Sequence, residues 1–524
     1  MAQNKNNLIA TIISIFIVGG GQIYSGRLIT GLWFIIVFYG SILVTKILWI
    51  KLTVGFWFLL GSWIVFWLFN IFDAHRGVSY YAPPCEKNCP AGIAPWYYIN
   101  HIVSNKKKYP FIPFFKILGL ICPAPCEDNC TRRAIDEAVA ISTLKHAVET
   151  EPPTTPKNER KEKVAIIGAG PCGLTTAYEL RKMGYQVTVY EKEKFLGGVL
   201  SAYIPEFRLP RSIVEEEIEQ IKKIGFEINT GVEVGKDFVL AELITDYNAV
   251  FVATGAGKSE RLHIEGEELI LGGLDVLHRI KRDDKVKLGR VAIIGGGNTA
   301  FDVARSLLRC GNEVAIYYRR GLDVMPAEKK NKIESAEEGI KIYPFTTPVR
   351  FKKNKVIIAK THCSEGRHTK VEILPNTEFE IDVDNVVAAI GQTPDTGFLG
   401  EYLSIDKMGR IVTRNGKTSN PKIFAGGDAV LGPQTIAHAV GNGIKIAQQI
   451  DKFISGSILP ARKLIEFKIE PLFWQVVSKA RIKIPHRKIE ERIKDFKMVE
   501  SIPEITQLKE EAKRCLVCPL RYKP

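Results

Sequence analysis

Two copies of one local pattern, about 127 positions apart, constrain this 524-residue chain more than any other feature in it. The first, Val164-Ala-Ile-Ile-Gly168-Ala-Gly170-Pro-Cys-Gly173, reads as a buried strand, a glycine turn and a helix. Gly168 permits the tight turn, Gly170 lets a pyrophosphate approach the backbone, and Gly173 lets the helix pack on the strand. The helix N-terminus then faces the phosphates. Gln186-Val-Thr-Val-Tyr-Glu191 follows as a second strand whose terminal acid is placed for ribose hydroxyls. A lone glycine fingerprint is weak evidence, but here strand, helix and acid all accompany it. The second copy, Val291-Ala-Ile-Ile-Gly295-Gly-Gly297-Asn298-Thr299-Ala300, has alanine as its third small residue. Its partner strand, Val314–Tyr318, ends not in an acid but in Arg319-Arg320. A carboxylate would repel a 2′-phosphate and a guanidinium binds it, so NADPH is expected over NADH; two ordinary surface arginines are the plainer reading.

From Val164 onward, short β-rich runs alternate with amphipathic helices, the pattern of parallel α/β sheets. Late in the chain, Lys422-Ile-Phe-Ala-Gly-Gly427-Asp428 precedes a helix expected over Thr435–Ile450. A glycine and an acid at a strand end ahead of a helix look like the closing half of a flavin site, with Gly427, Asp428 and Thr435 as its residues. The pairing resembles the two-dinucleotide-domain flavoproteins, in which FAD and NAD(P)H domains share one chain. No Cys-x-x-Cys lies in the NADPH domain, which argues against a disulfide exchanger; Cys172, Cys310 and Cys363 read as small buried thiols.

Ahead of these motifs lies most of the apolar mass. Asn6–Gly26 carries no charge, Leu28–Thr45 is an 18-residue uncharged run, and Leu52–Phe72 is a 21-residue one holding three tryptophans. A bilayer core needs about 20 apolar residues per helix, so residues 1–76 are expected to form two or three membrane helices. The Gly19–Gly26 stretch also resembles small bacterial membrane modules with a GxGQxYxG start. Nucleotide motifs need cytosolic cofactors, which sets the expected topology: a multi-pass protein of the cell membrane with its catalytic part facing the cytoplasm. Arg27 and Arg76 on the inner side agree with the positive-inside bias, whereas Lys46 and Lys51 weaken it. The formal net charge of +15 suits an anionic partner, but no nucleic-acid-binding module is present, so none is expected to bind.

Seven of the ten cysteines fall in groups, too few for a disulfide scaffold and better suited to metal ligation in a reducing compartment. They are Cys85 and Cys89, then Cys122, Cys126 and Cys130, and finally Cys515 and Cys518. Together with Gly197-Gly198…Ile204-Pro-Glu-Phe-Arg208-Leu-Pro210, Tyr318-Arg-Arg…Met325-Pro-Ala327 and Phe424–Asp428, these groups resemble the glutamate synthase small-subunit family over residues 83–456. That family includes the electron-input half of dihydropyrimidine dehydrogenase. The resemblance implies FAD reduced by NADPH, with Gly198 and Arg208 at the flavin and [4Fe-4S] clusters in a helical domain. It also exposes a departure. The family's first two cluster cysteines fall here on Gly77 and Tyr80, while the sequence that normally precedes them, Glu511-Ala-Lys-Arg-Cys515-Leu-Val-Cys518, stands near the other end. The C-terminal tail is therefore expected to supply the displaced pair, giving one cluster on Cys85, Cys130, Cys515 and Cys518 and another on Cys89, Cys122 and Cys126. The family's usual fourth ligand of that second cluster, a Glu or Gln, is Lys145 here. A zinc site, or a cluster completed by a partner's cysteines, stays open as an alternative.

The expected order is a membrane segment at 1–76, a helical iron–sulfur domain at 77–150 containing a helix over 133–148, and a Pro-rich linker at 151–163. The FAD domain follows at 164–285 and 386–456, interrupted by the NADPH domain at 286–385, and a basic tail closes the chain at 457–524. This fold class, helices followed by tandem Rossmann-like domains, is expected to be an NADPH-dependent oxidoreductase. Electrons would pass through flavin and clusters to a redox partner subunit or a quinone-linked acceptor near the membrane. A soluble large-subunit partner, or a non-catalytic flavin-binding tether, are the competing expectations.

Overall fold

The computed structural model describes residues 13, 31–40, 64–71, 82–104, 108–282, 285–364, 366, 369–456 and 478–518. The chain divides into two compact units: residues 88–460 with 479–515, and the remainder.

In the larger unit, helix α1 (Pro95–Ser104) and helix α2 (Phe115–Ile121) open the iron–sulfur layer. Strand β1 (Lys163–Ile167), helix α3 (Pro171–Lys182), strand β2 (Gln186–Glu191), helix α4 (Arg211–Lys222) and strands β3 (Glu227–Thr230) and β4 (Ala249–Val252) build the first Rossmann half. The second half comprises β5 (Leu271–Gly272), α5 (Gly273–Arg282), β6 (Arg290–Ile294), α6 (Asn298–Arg309), β7 (Glu313–Tyr318), α7 (Lys329–Glu337) and β8 (Lys341–Pro344). Strands β9 (Thr346–Lys352), β10 (Lys355–Cys363), β11 (Val371–Ile373) and β12 (Phe379–Asp382) form an antiparallel layer before β13 (Asn385–Ala388) returns to the second sheet. Strand β14 (Ile423–Ala425) rejoins the first sheet, and helix α8 (Ile436–Ser455) follows it.

Both five-stranded sheets are wholly parallel, ordered β14-β4-β1-β2-β3 and β5-β13-β6-β7-β8. Their central strands, KVAII and RVAII, bury four successive residues after an exposed one. Continuous burial is what a sheet covered by helices on both faces demands. The second sheet starts at Leu271, ahead of residue 286 where the sequence pattern opens the NADPH domain, because α5 packs back onto it.

The helix expected over 133–148 is absent. Two single 3₁₀ turns, Thr131–Ala134 and Thr143–Ala147, stand in its place. The physical reason lies in the tail. Residues 479–515 fold back, and helix α9 (Ile505–Ala512) packs on α1 and on the second turn. Arg514, 2% exposed, donates to Asp136 at 2.8 Å and Glu511 at 2.7 Å, and to the Glu137 carbonyl at 2.7 Å. Glu511 in turn accepts from the Ala140 N–H at 2.9 Å. Backbone groups taken by the tail are unavailable to a helical ladder. The basic stretch thus behaves as an inward-facing strap. Arg481 pairs with Glu127 and Arg492 with Glu337. At mid-strap, buried Arg492 joins Arg305 and Arg309 around Glu338, and Phe207 lies under the last two guanidiniums at 4.7 and 4.0 Å.

In the smaller unit, helical pieces at 31–40 and 64–71 meet through Phe34, Phe66 and Phe69. Most of the three apolar runs, and with them the membrane helices expected there, lie outside the described residues. Among the described residues no helix is long and apolar enough to cross a membrane.

The iron–sulfur layer meets the first sheet's helices at Glu217 of α4. Its carboxylate is buried, takes the backbone N–H groups of Lys116 and Phe115, and is pushed up to about 7 mainly by desolvation. The folded chain therefore holds a proton that an unfolded glutamate, near 4.5, has already lost. Stability should fall as pH rises from about 4.5 to 7, by up to about 3 kcal/mol from this group. Glu217→Gln should flatten that part of the profile, checked by urea unfolding between pH 5 and 8.

Candidate functional site

The first glycine turn is shaped for a dinucleotide. Gly168 has φ +103°, and a Cβ there would stand 2.5 Å from the Ala253 carbonyl oxygen. Gly170 has open space where a side chain would be, and a Cβ on Gly198 (φ +52°) would crowd the Gly170 Cα at 2.9 Å. Gly173 is held against the Gly168 carbonyl, the close helix-to-strand packing that the fingerprint requires. Glu191, at the end of β2, is buried; burial raises its pKa. It accepts from the Ala169 N–H at 2.7 Å and the Glu193 N–H at 2.9 Å, so it braces the turn.

Gly427 (φ +65°) and Asp428 follow β14. Burial pushes the Asp428 carboxyl up to about 7, while the Gln434 N–H donates to it at 3.2 Å. Thr435 caps α8 and accepts from the His438 N–H. Arg208 goes elsewhere: its guanidinium is spent on Asp302 at 2.7 Å and Glu328 at 3.5 Å, tying the loop before α4 to the second half. Asn442 was not among the expected residues. Its Oδ1 accepts from the Gly427 N–H at 2.8 Å and lies 3.6 Å from the Cys172 sulfur. The available signal was Gly441-Asn442-Gly443, two helix-weakening glycines inside an otherwise regular helix.

The second turn repeats the cradle. A Cβ on Gly295 (φ +149°) would overlap the Ala389 carbonyl, and Gly297 is open. Asn298 is engaged by Glu328 and Asn331, and Thr299 accepts from Gln392 at 3.2 Å, leaving backbone N–H groups for phosphate. Arg319 is exposed; Arg320 is half-buried, with Nη2 on the Thr369 carbonyl and a buried Nε that has no hydrogen-bond partner. An unpartnered buried guanidinium nitrogen beside a dinucleotide cradle fits an incoming phosphate.

Cys89, Cys122 and Cys126 converge. Burial, more than any other cause, raises Cys122 and pushes Cys126 up to about 12; each is also affected by the other two cysteines or by Cys89. Three thiols gathered in this way, Cys126 buried and Cys89 and Cys122 half-buried, suit a metal that displaces their protons. The strap carries Cys515 toward Cys130: Arg132, two residues beyond Cys130, donates to the Arg514 carbonyl at 3.2 Å. Cys85 and Cys518 belong to the smaller unit. Helix α8 serves both sites. A Cβ on Gly441 would overlap the Pro90 carbonyl beside Cys89, and one on Gly443 would lie 2.7 Å from the Cys172 carbonyl in the flavin turn.

Two parallel nucleotide-binding sheets, with a thiol group packed against one, define a flavin- and nicotinamide-dependent electron-transfer protein. Comparisons agree. Residues 162–443 match the pyridine nucleotide-disulphide oxidoreductase family, and residues 70–154 match the dihydropyrimidine dehydrogenase domain II, 4Fe-4S cluster family. The chain is 35% identical over 505 residues to the NADP(+)-dependent formate dehydrogenase subunit beta of Moorella thermoacetica, covering 83% of this chain and 70% of that one. It is 32% identical over 518 residues to the NADPH-Fe(3+) oxidoreductase subunit beta of Geobacter sulfurreducens, covering 85% and 76%. FprA of Mycobacterium tuberculosis in complex with NADPH shares the fold, at TM-score 0.51 and 18% identity over 57% of this chain and 85% of that one. The chain belongs to the pyridine nucleotide-disulphide oxidoreductases, among the NAD(P)H-dependent flavin and iron–sulfur subunits. Its cofactors are FAD, NADPH and a 4Fe-4S cluster.

Glycine to alanine inside a helix ordinarily stabilises by about 1 kcal/mol. At Gly441 the added methyl meets the Pro90 carbonyl, and overpacking of about 1–3 kcal/mol reverses the sign. Gly441→Ala should lower the thermal midpoint and slow cluster reduction by NADPH in stopped-flow spectra.

Proposed function

We propose that this chain is the electron-input subunit of a membrane-proximal redox system, taking electrons from NADPH and delivering them through iron–sulfur clusters to a partner subunit or quinone-linked acceptor. The observation that carries this reading is helix α8, whose Gly441 and Gly443 bring the Cys89 loop and the flavin turn against one short stretch of backbone. When bound, FAD would supply the conversion between hydride and single-electron transfer, so that each hydride from NADPH would yield two electrons for the iron–sulfur site and one proton for solvent. The chain's own work is to hold these groups. The first glycine turn and Glu191 position FAD, and the second turn with Arg319 and Arg320 positions NADPH. Cys89, Cys122 and Cys126 hold the inner cluster, on the loop that α8 packs against, and Cys130 and Cys515, within the same unit, serve the outer one. Burial of the cradles keeps water from competing for the reduced cofactor.

Attachment to the cell membrane through residues 1–76, with the cofactor domains in the cytoplasm, is part of the same reading. Its support is the three uncharged runs and the exposed apolar faces at 31–40 and 64–71, where Trp33, Ile36, Val65 and Phe69 are all exposed. A second reading, a soluble partner, draws on relatives named as beta subunits. Anaerobic purification in detergent, with iron and sulfide measured per FAD, tests the cofactor set. About eight irons per flavin is the expected outcome, and about four would leave the outer set unbuilt. NADPH should then reduce a quinone analogue in proteoliposomes faster than a soluble acceptor. Equal rates after removal of residues 1–76 would overturn the membrane-proximal acceptor.

Arg319 is exposed, and no carboxylate pairs with it among the described residues. Arg319→Ala should raise KM for NADPH about tenfold or more, the loss of one charge-assisted hydrogen bond, and leave KM for NADH nearly unchanged.

A further inference from the structure

One buried charge beside the inner thiols has no carboxylate counterpart among the described residues. Lys145, on the Thr143–Ala147 turn, is 5% exposed. Its Nζ lies 5.6 Å from the centre of the Tyr98 ring and 6.0 Å from that of Phe115. Among the described residues no carboxylate pairs with it. It is the leading charge acting on both Cys122 and Cys126, and it favours their thiolate forms. A buried ammonium set among ring faces and neutral thiols is costly to fold unless an anion completes the site. The adjacent His146 does not share the task. Its ring turns toward α2, where a Cβ on Gly119 would stand 2.7 Å from Nε2, and burial lowers its pKa to about 4, leaving it neutral.

We infer that Lys145 is the fixed counter-cation of a cluster held by Cys89, Cys122 and Cys126, and that its charge raises that cluster's reduction potential. The inference rests on the placement of that cluster given under the proposed function. The physics is direct. Three thiolates and their sulfides make the site anionic, an added electron makes it more so, and an unscreened positive charge in a dry pocket favours the reduced state. The aromatic rings keep water from dispersing that charge. A side chain that tunes potential needs no bond to iron, and Lys145 as an ammonium has no lone pair to offer one.

The test is EPR-monitored redox titration of the full chain purified anaerobically, with iron per FAD measured on every sample. Lys145→Gln should keep the iron and move the inner signal to more negative potential, whereas Lys145→Arg should keep both iron and potential. An unshifted potential in Lys145→Gln overturns the inference. Loss of the inner cluster in both variants also overturns it, since that pattern marks an iron ligand and not a charge. Loss in Lys145→Gln with retention in Lys145→Arg supports it. Cys126→Ser is the control for placement: it should abolish the inner signal. If every signal survives in Cys126→Ser, the cluster placement itself is wrong, an outcome separable from any result at Lys145.

Discussion

Backbone-to-backbone contact at helix α8 is the constraint on which the rest of the molecule depends. Electron transfer between bound groups needs short separations, and side chains are usually what keeps elements apart. Two glycines in one turn of α8 remove them, on one side against Pro90 and on the other against Cys172 and Thr175. Asn442, between those glycines, converts the weakened helix into a clamp by holding the Gly427 N–H. The iron–sulfur loop and the flavin turn are thus registered on the same few residues. A shift in α8 would move both together.

A second layer of organisation is ionic. Arg305, Arg492 and Arg514 are almost fully buried, and each is matched by carboxylates. Such groups add little net stability, because desolvation offsets most of the attraction. They do penalise every arrangement that leaves one unmatched. Arg492 fastens the strap to the NADPH-binding half and Arg514 fastens it to the iron–sulfur layer, while the Val499 N–H reaches the Phe207 carbonyl at 3.0 Å beside the flavin half. One segment therefore sets the relation among three functional parts.

Much of this was legible in the chain's residues. Glycines with fixed roles, and strands reading KVAII and RVAII, announce both nucleotide folds because their local geometry admits few alternatives. The displaced Glu511–Cys518 segment pointed to a returning tail, and the strap does place Cys515 toward Cys130. What could not be read were the long-range claims on local groups. Residues 133–148 have a helical pattern, but Asp136, Glu137 and Ala140 answer to Arg514 and Glu511, more than 370 positions away. Arg208 resembles a flavin residue by its motif, and its pairing with Asp302 in the other half was not legible. Lys145 drew notice only for standing where the resembled family has a Glu or Gln, and its burial could not be read from the sequence.

The strap also ties cofactor assembly to the timetable of synthesis. Asp136 and Arg514 are separated by 378 positions, and at bacterial rates a ribosome takes tens of seconds to cover them. Until then Arg132 and Asp136 have each other, at 2.6 Å, but the Arg514 guanidinium that joins the pair has not emerged. A cluster inserted early would meet an open, solvated site. The iron–sulfur layer thus gains its cover only after the nucleotide-binding halves between these residues have been made.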